Sequence, residues 1–166
     1  MNPLWAYGWP VLGAGLLLGV LGGLFGFRRR KRLPFVVSAA LLIVAVAAWH
    51  GPLGAAGRFT GIIERQARES LTYYEVPQVG AQLHRGPLTR RLILSNDRGL
   101  DDWQRGELAR LFSQLPGVSS ATWSADDGGL PLLLEAILAG ALAYLLGLGL
   151  AYLGELRRRY NAQWTW

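Results

Sequence analysis

The stretch VGAQLHRGPLTRRLILSNDRGLDDWQRGELARLFSQLPGVSSATW, Val79–Trp123, decides what kind of protein this is, because it alone reads as a folded, water-facing unit. Val79, Ala81 and Leu83 alternate with Gly80, Gln82 and His84, the period of a half-buried strand. Gly86-Pro87 supplies a turn. Leu88, Arg90, Leu92 and Leu94 then alternate with Thr89, Arg91, Ile93 and Ser95, a second strand antiparallel to the first. Asn96-Asp97-Arg98-Gly99 is loop chemistry, and Asp101 followed by Gln104 has the spacing of a capping box. Leu108, Leu111, Phe112 and Leu115 recur at i, i+3, i+4 and i+7, which predicts an amphipathic helix with Trp103 on its approach and Arg105, Glu107 and Arg110 facing away. Pro116-Gly117 ends it. Val118, Ser120 and Thr122, alternating with Ser119, Ala121 and Trp123, predict a third strand.

Working outward toward the N-terminus, Gly61–Tyr74 places Ile62, Ile63, Ala67 and Leu71 at near-helical spacing with charges between them. Thr60 is the expected N-cap and Glu64–Arg68 an i, i+4 pair. Pro77 ends the helix. The order is therefore helix, strand, strand, helix, strand.

These residues resemble the BON domain of bacterial envelope proteins, a small module of order αββαββ. The carriers are LILSN (Leu92–Asn96), the amphipathic helix after it, and LPGVSSATW (Leu115–Trp123). The likeness spans Gly61–Trp123 and implies a small extracytoplasmic α+β binding module. Asn96 stands where the family carries glycine, and no sixth element is expected before Asp126-Asp127-Gly128-Gly129.

On both sides the chain turns apolar. Leu4–Phe27, Leu33–Trp49 and Leu130–Leu153 carry a single ionisable side chain among them, Glu135, and each is long enough for ~30 Å of hydrocarbon at ~1.5 Å per residue. The expected organisation is a first transmembrane helix over 1–27, a basic loop over 28–32, a second helix over 33–50, the α+β (αββαβ) domain over 51–128, a third helix over 129–154 and a tail over 155–166. A cleaved signal peptide needs basic charge ahead of its apolar region, whereas here the basic cluster follows the first block. RRRKR, the second block and Ala45-Val46-Ala47 imitate such a signal, but a complete apolar segment precedes them. Trp5, Tyr7, Trp9, Trp49 and His50 fit interfacial belts; His50 as a metal or cofactor ligand is the rarer alternative.

In lipid, burial of apolar surface does not drive helices together, so small residues that admit close backbone approach take its place. Gly15, Gly19 and Gly23 form one such stripe. Ala139, Ala143, Gly147 and Ala151 form another, with Ala136 and Gly140 alongside, and the two either pack on each other or face a partner chain. Glu135, the acid within a span, is a functional candidate by default, but about a turn and a half inside the helix start it reads as a structural or interfacial residue, with a proton or partner contact as the alternative.

The net charge of +6 is not spread evenly. Arg28–Arg32 and Arg157–Arg159 hold the excess, while 51–128 has nine arginines and nine acids. That placement argues against nucleic acid and for membrane lipids and other integral membrane proteins, with a homo-oligomer as a further arrangement. Both basic clusters belong in the cytoplasm, which puts the N-terminus and 51–128 in the periplasm and the C-terminus in the cytoplasm of a bacterial inner-membrane protein. There are no cysteines. HExxH, GxSxG and a phosphate-cradling glycine loop are missing too, so no catalytic set, metal or cofactor is expected. Arg85, Arg90, Arg91 and Arg98 are the candidate contacts for lipid or protein. The expected role is a non-enzymatic accessory or scaffold subunit. The alternatives are a small transport or proton-coupled component using Glu135, or a structural subunit of a redox or photosynthetic complex.

Overall fold

The computed structural model describes residues 2–124 and 129–162. Along the chain run α1 (Pro3–Arg29), α2 (Leu33–His50), α3 (Ala55–Tyr73), β1 (Gly80–Arg85), β2 (Leu88–Ser95), α4 (Asp102–Ser113), β3 (Ser120–Thr122) and α5 (Leu132–Ala162). Of these, α1, α2 and α5 are long and apolar enough to cross a membrane. The chain divides into two compact units, Met1–Tyr7 with Gly54–Glu135, and Gly8–Leu53 with Ala136–Trp166.

The first unit is built on a three-stranded sheet of order β1-β2-β3. β1 and β2 pair antiparallel, with Ala81 opposite Leu94 and Leu83 opposite Leu92, and the register shifts between Leu83 and Arg85. β3 runs parallel to β2, Ala121 facing Leu92. Strand alternation puts Ala81, Leu83, Leu92 and Leu94 on one face, and all four are buried. They are covered by Phe59, Ile63, Ala67 and Leu71 of α3 and by Leu108 and Phe112 of α4, residues that are themselves buried. At the start of β2, Thr89 bridges to Pro131 and is fully buried, and Leu132 is 1% exposed, so the first turn of α5 packs into this unit.

Gly117 and Asn96 both stand in left-handed backbone. Gly117 has φ +96°, and a Cβ there would stand 3.1 Å from Ile63 Cδ1. Asn96 has φ +61°, a conformation asparagine tolerates better than most residues, and its side-chain amide donates to the Gln78 carbonyl at 2.7 Å.

α3 differs from the expected Gly61–Tyr74. It starts at Ala55 on a left-handed Gly54 (φ +72°), because Ala55 and Phe59 extend the buried stripe of Ile63, Ala67 and Leu71 two turns back. Thr60 is consequently not a cap: its hydroxyl donates to the Ala56 carbonyl within the helix at 2.9 Å. Asp101 does cap α4, its carboxylate accepting from Gln104 N at 2.7 Å while Gln104 Oε1 accepts from Asp101 N at 2.9 Å.

The second unit packs the three apolar helices. α1 runs through the expected boundary at Phe27 to Arg29, leaving Arg30, Lys31 and Arg32 between helices rather than 28–32. α5 continues past Gly154 to Ala162, where a separate tail was expected, and Glu155 pairs with Arg158 and Arg159 at 3.2 and 3.0 Å along that extension. Asp126 and Asp127, before which no sixth element was expected, lie outside the described residues, as do Trp164 and Trp166.

Inside this unit α1 meets α5 through backbone. Substituting a Cβ at Gly15 would collide with the Gly140 carbonyl oxygen, at Gly19 would stand 2.9 Å from the Tyr144 carbonyl carbon, and at Gly23 would meet Ala151. The face of α5 that receives them is Ala136, Gly140, Ala143, Gly147 and Ala151, all buried. Ala139 lies at its half-buried rim, because a strict four-residue step drifts about 40° around a helix that turns 100° per residue. Gly22 and Gly26 of α1 admit Ser38 and Phe35 of α2 in the same manner. The Phe27 ring stands between two others, 5.0 Å from Phe35 and 5.4 Å from Tyr152.

Candidate functional site

The arginines expected to form one contact cluster are distributed differently. Arg85, at the end of β1, donates through Nη2 to both carboxylate oxygens of Glu64 on α3, at 3.1 and 3.2 Å. Glu64, expected to pair with Arg68 on the surface, instead turns inward and is 8% exposed, and it also accepts the backbone N–H of Leu83 at 3.2 Å. That hydrogen bond matters for the sheet. Leu83 lies on an edge strand, and the carboxylate takes a donor that would otherwise be open to another strand.

The opposite edge is treated alike. On β3 the N–H of Ala121 donates to Ser113 Oγ of α4 at 2.9 Å, and that hydroxyl donates to the Ala109 carbonyl at 2.7 Å. Both outer strands therefore spend an edge donor on a helix side chain. Strand addition at either position would have to displace it.

Arg90 is committed to Glu135, its Nε 2.7 Å from Oε2, with both side chains 24% exposed. The carboxylate sits in the first turn of α5, where the helix dipole favours negative charge. Glu135, read as a structural or interfacial acid with a proton or partner role as the alternative, is thus an ion-paired residue at a helix start, and its charge is balanced locally. Arg91 is half-buried on β2, opposite Ser120. Arg98 is exposed in the loop after β2. The four arginines do not converge.

What remains open is the second face of the sheet. Gln82, Ile93 and Thr122 sit side by side across the three strands, with Ser95 beyond them. Gln82 and Ser95 are exposed and Ile93 and Thr122 half-buried, in contrast to the apolar row on the reverse. His84, at the end of β1, places Nδ1 2.9 Å from the Pro87 carbonyl, which orients the ring across the turn.

α4 carries a separate ionic surface. Arg105 pairs with Asp97 at 2.8 Å and with Asp102, and the Trp123 indole donates to the Arg105 carbonyl at 3.0 Å. Arg110 hydrogen-bonds Glu107, which holds that carboxyl below its ordinary value. Among the described residues no group of three or more His, Asp or Glu side chains is placed to hold a metal.

Sequence reasoning missed one polar contact. The Tyr144 hydroxyl of α5 donates to the Phe35 carbonyl of α2 at 3.0 Å and lies 2.9 Å from Ser38 Oγ, both side chains buried. The serine of α2 and a tyrosine in the apolar part of α5 were the available signal, since a hydroxyl in hydrocarbon needs a partner.

Comparison with protein-family models, with curated proteins and with solved structures returned no match.

Proposed function

We propose that the chain is a non-enzymatic accessory or scaffold subunit of a larger bacterial inner-membrane complex. The observation that carries this is the sheet's asymmetry. One face is buried under α3 and α4, while the other presents Gln82, Ile93, Ser95 and Thr122. A mixed polar and apolar face on which the described residues bring no acid–base set together suits contact with a partner better than chemistry.

The glycine and alanine stripes enter the reading in a new role. Gly15, Gly19 and Gly23 are occupied by α5 of the same chain, so they build the anchor and do not recruit the partner. Recruitment then falls to the sheet face and to the leucines and valines exposed on the helices. A BON-like module on the periplasmic side fits this role. Asn96, a departure from that family's glycine, stands in left-handed backbone, a conformation glycine adopts readily. With both basic clusters in the cytoplasm, the N-terminus and the sheet are periplasmic and the C-terminus is cytoplasmic.

The test is purification of the full chain from native membranes in mild detergent, with Gln82→Arg/Ile93→Glu beside the wild type. The wild type co-purifies in fixed stoichiometry with another integral membrane protein, and the variant loses it while its thermal melting is preserved. A wild-type chain that runs alone, or a variant that keeps its partner, overturns the proposal. Loss of proton flux in Glu135→Gln with the complex intact would move the protein to the transport class.

A further inference from the structure

Within the helical unit, α1 and α5 leave between them a cavity of about 610 Å³, inside the ~300–1,000 Å³ range of ligand sites. Its lining has two parts. Leu21, Leu24 and Phe25 make an apolar wall along α1, and Arg28 and Arg29 follow one turn later on the same face. From α5 come Gly154, Glu155 and Arg158. A Cβ on Gly154 would meet nothing within 4 Å, so the floor of the cavity is open there.

The charge is unbalanced. Glu155 is the one carboxylate of the lining, and it is shared between Arg158 at 3.2 Å and Arg159 at 3.0 Å. Arg28 and Arg29 bring two further guanidiniums to the rim, and Arg29 lies 5.9 Å from the centroid of the Phe25 ring, which holds it over the apolar wall. The cavity therefore offers hydrocarbon at one end and a cationic rim at the other, within a few helical turns.

We infer that this cavity binds one anionic glycerophospholipid of the bilayer, its phosphodiester held by Arg28, Arg29 and Arg158 and an acyl chain lying along Leu21, Leu24 and Phe25. Guanidinium forks match phosphate oxygens in geometry and charge. Basic pockets between membrane helices are suited to anionic headgroups. A free phosphate would leave the apolar wall wet. A zwitterionic lipid would bring an ammonium group toward arginines.

The experiment uses the full chain in a neutral maltoside detergent, with phosphatidylglycerol, phosphatidylcholine and inorganic phosphate as probes and native mass spectrometry counting bound molecules. The expected result is a single retained phosphatidylglycerol, preferred over phosphatidylcholine by about tenfold or more and not displaced by inorganic phosphate. Replacing the rim arginines together (Arg28→Gln/Arg29→Gln/Arg158→Gln) removes the preference. Removing three charges outside the cavity (Arg30→Gln/Lys31→Gln/Arg32→Gln) leaves it. Leu24→Trp fills the apolar wall and lowers retention of both lipids, and it decides the matter alone if the rim variant fails to fold. Equal losses in the two arginine sets would mean diffuse attraction to anionic surfaces. Displacement by inorganic phosphate would mean an anion site without a chain groove. Retention unchanged by Leu24→Trp would mean no site, and each of these three outcomes overturns the proposal.

Discussion

The α+β unit and the helical unit close their cores by opposite means. Around the sheet, bulk is the cement: Phe59, Ile63, Leu83, Leu92, Leu94 and Phe112 are fully buried side chains, and the favourable term is apolar area withdrawn from water. Among the apolar helices the contact is made where side chains are missing. Gly15, Gly19, Gly22, Gly23 and Gly26 let α1 approach neighbouring helices almost to backbone contact, and hydroxyls such as Tyr144 add interhelical hydrogen bonds. The difference follows from solvent. In lipid a leucine gains nothing by leaving hydrocarbon, so dispersion between closely fitted surfaces and paired polar groups must hold helices together.

That contrast predicts opposite responses to adding and removing volume. Phe112→Ala, which empties a fully buried site under the sheet, should cost about 3–5 kcal/mol and melt the α+β unit. Thermal melting followed by far-UV circular dichroism reads the loss. Gly19→Leu adds volume where the obstruction is the Tyr144 backbone, and should cost about 1–3 kcal/mol, seen as lowered resistance of the helices to denaturing detergent. If Gly19→Leu were neutral, the close-approach account of the helices would fail.

Glu135→Gln is smaller. Arg90 loses its partner, but at a quarter exposure water takes up part of the charge, so about 1–2 kcal/mol is expected in urea unfolding. Tyr144→Phe is smaller still, about 0.5–1 kcal/mol, since a single interhelical hydrogen bond in a membrane contributes little net. A double-mutant cycle with Ser38→Ala should show coupling between the two positions.

The readable parts of the fold were those set by local chemistry. Alternation in β1 and β2 and the capping box at Asp101 and Gln104 each specify their element without outside help, whereas the apolar run to Leu115 overshoots α4, which ends at Ser113. Boundaries failed where a neighbour decides them. The start of α3 at Ala55 depends on Phe59 finding the core, which no spacing rule reports. The arginines were read as one cluster because Arg85, Arg90, Arg91 and Arg98 are close in sequence. Their partners Glu64 and Glu135 are not, and ion pairing across such separations leaves no local trace. The stripe on α5 was legible in composition, and within it Gly140, read as lying alongside, meets Gly15 while Ala139 stays at the rim, because the helix repeat is 3.6 residues and not four.

The central claim is that the glycine face of α1 is closed by α5 of the same chain. Magic-angle-spinning NMR can measure it directly through the contact between Gly19 Cα and Gly147 Cα, using uniformly labelled chain in lipid bilayers with and without a large excess of unlabelled chain. Because a Cβ built on Gly147 would stand 3.0 Å from Gly19 Cα, a strong cross-peak is expected, with unchanged intensity per labelled molecule on dilution. A cross-peak that fades with dilution, or none at all, would show that the glycine face belongs to a partner and would contradict the account.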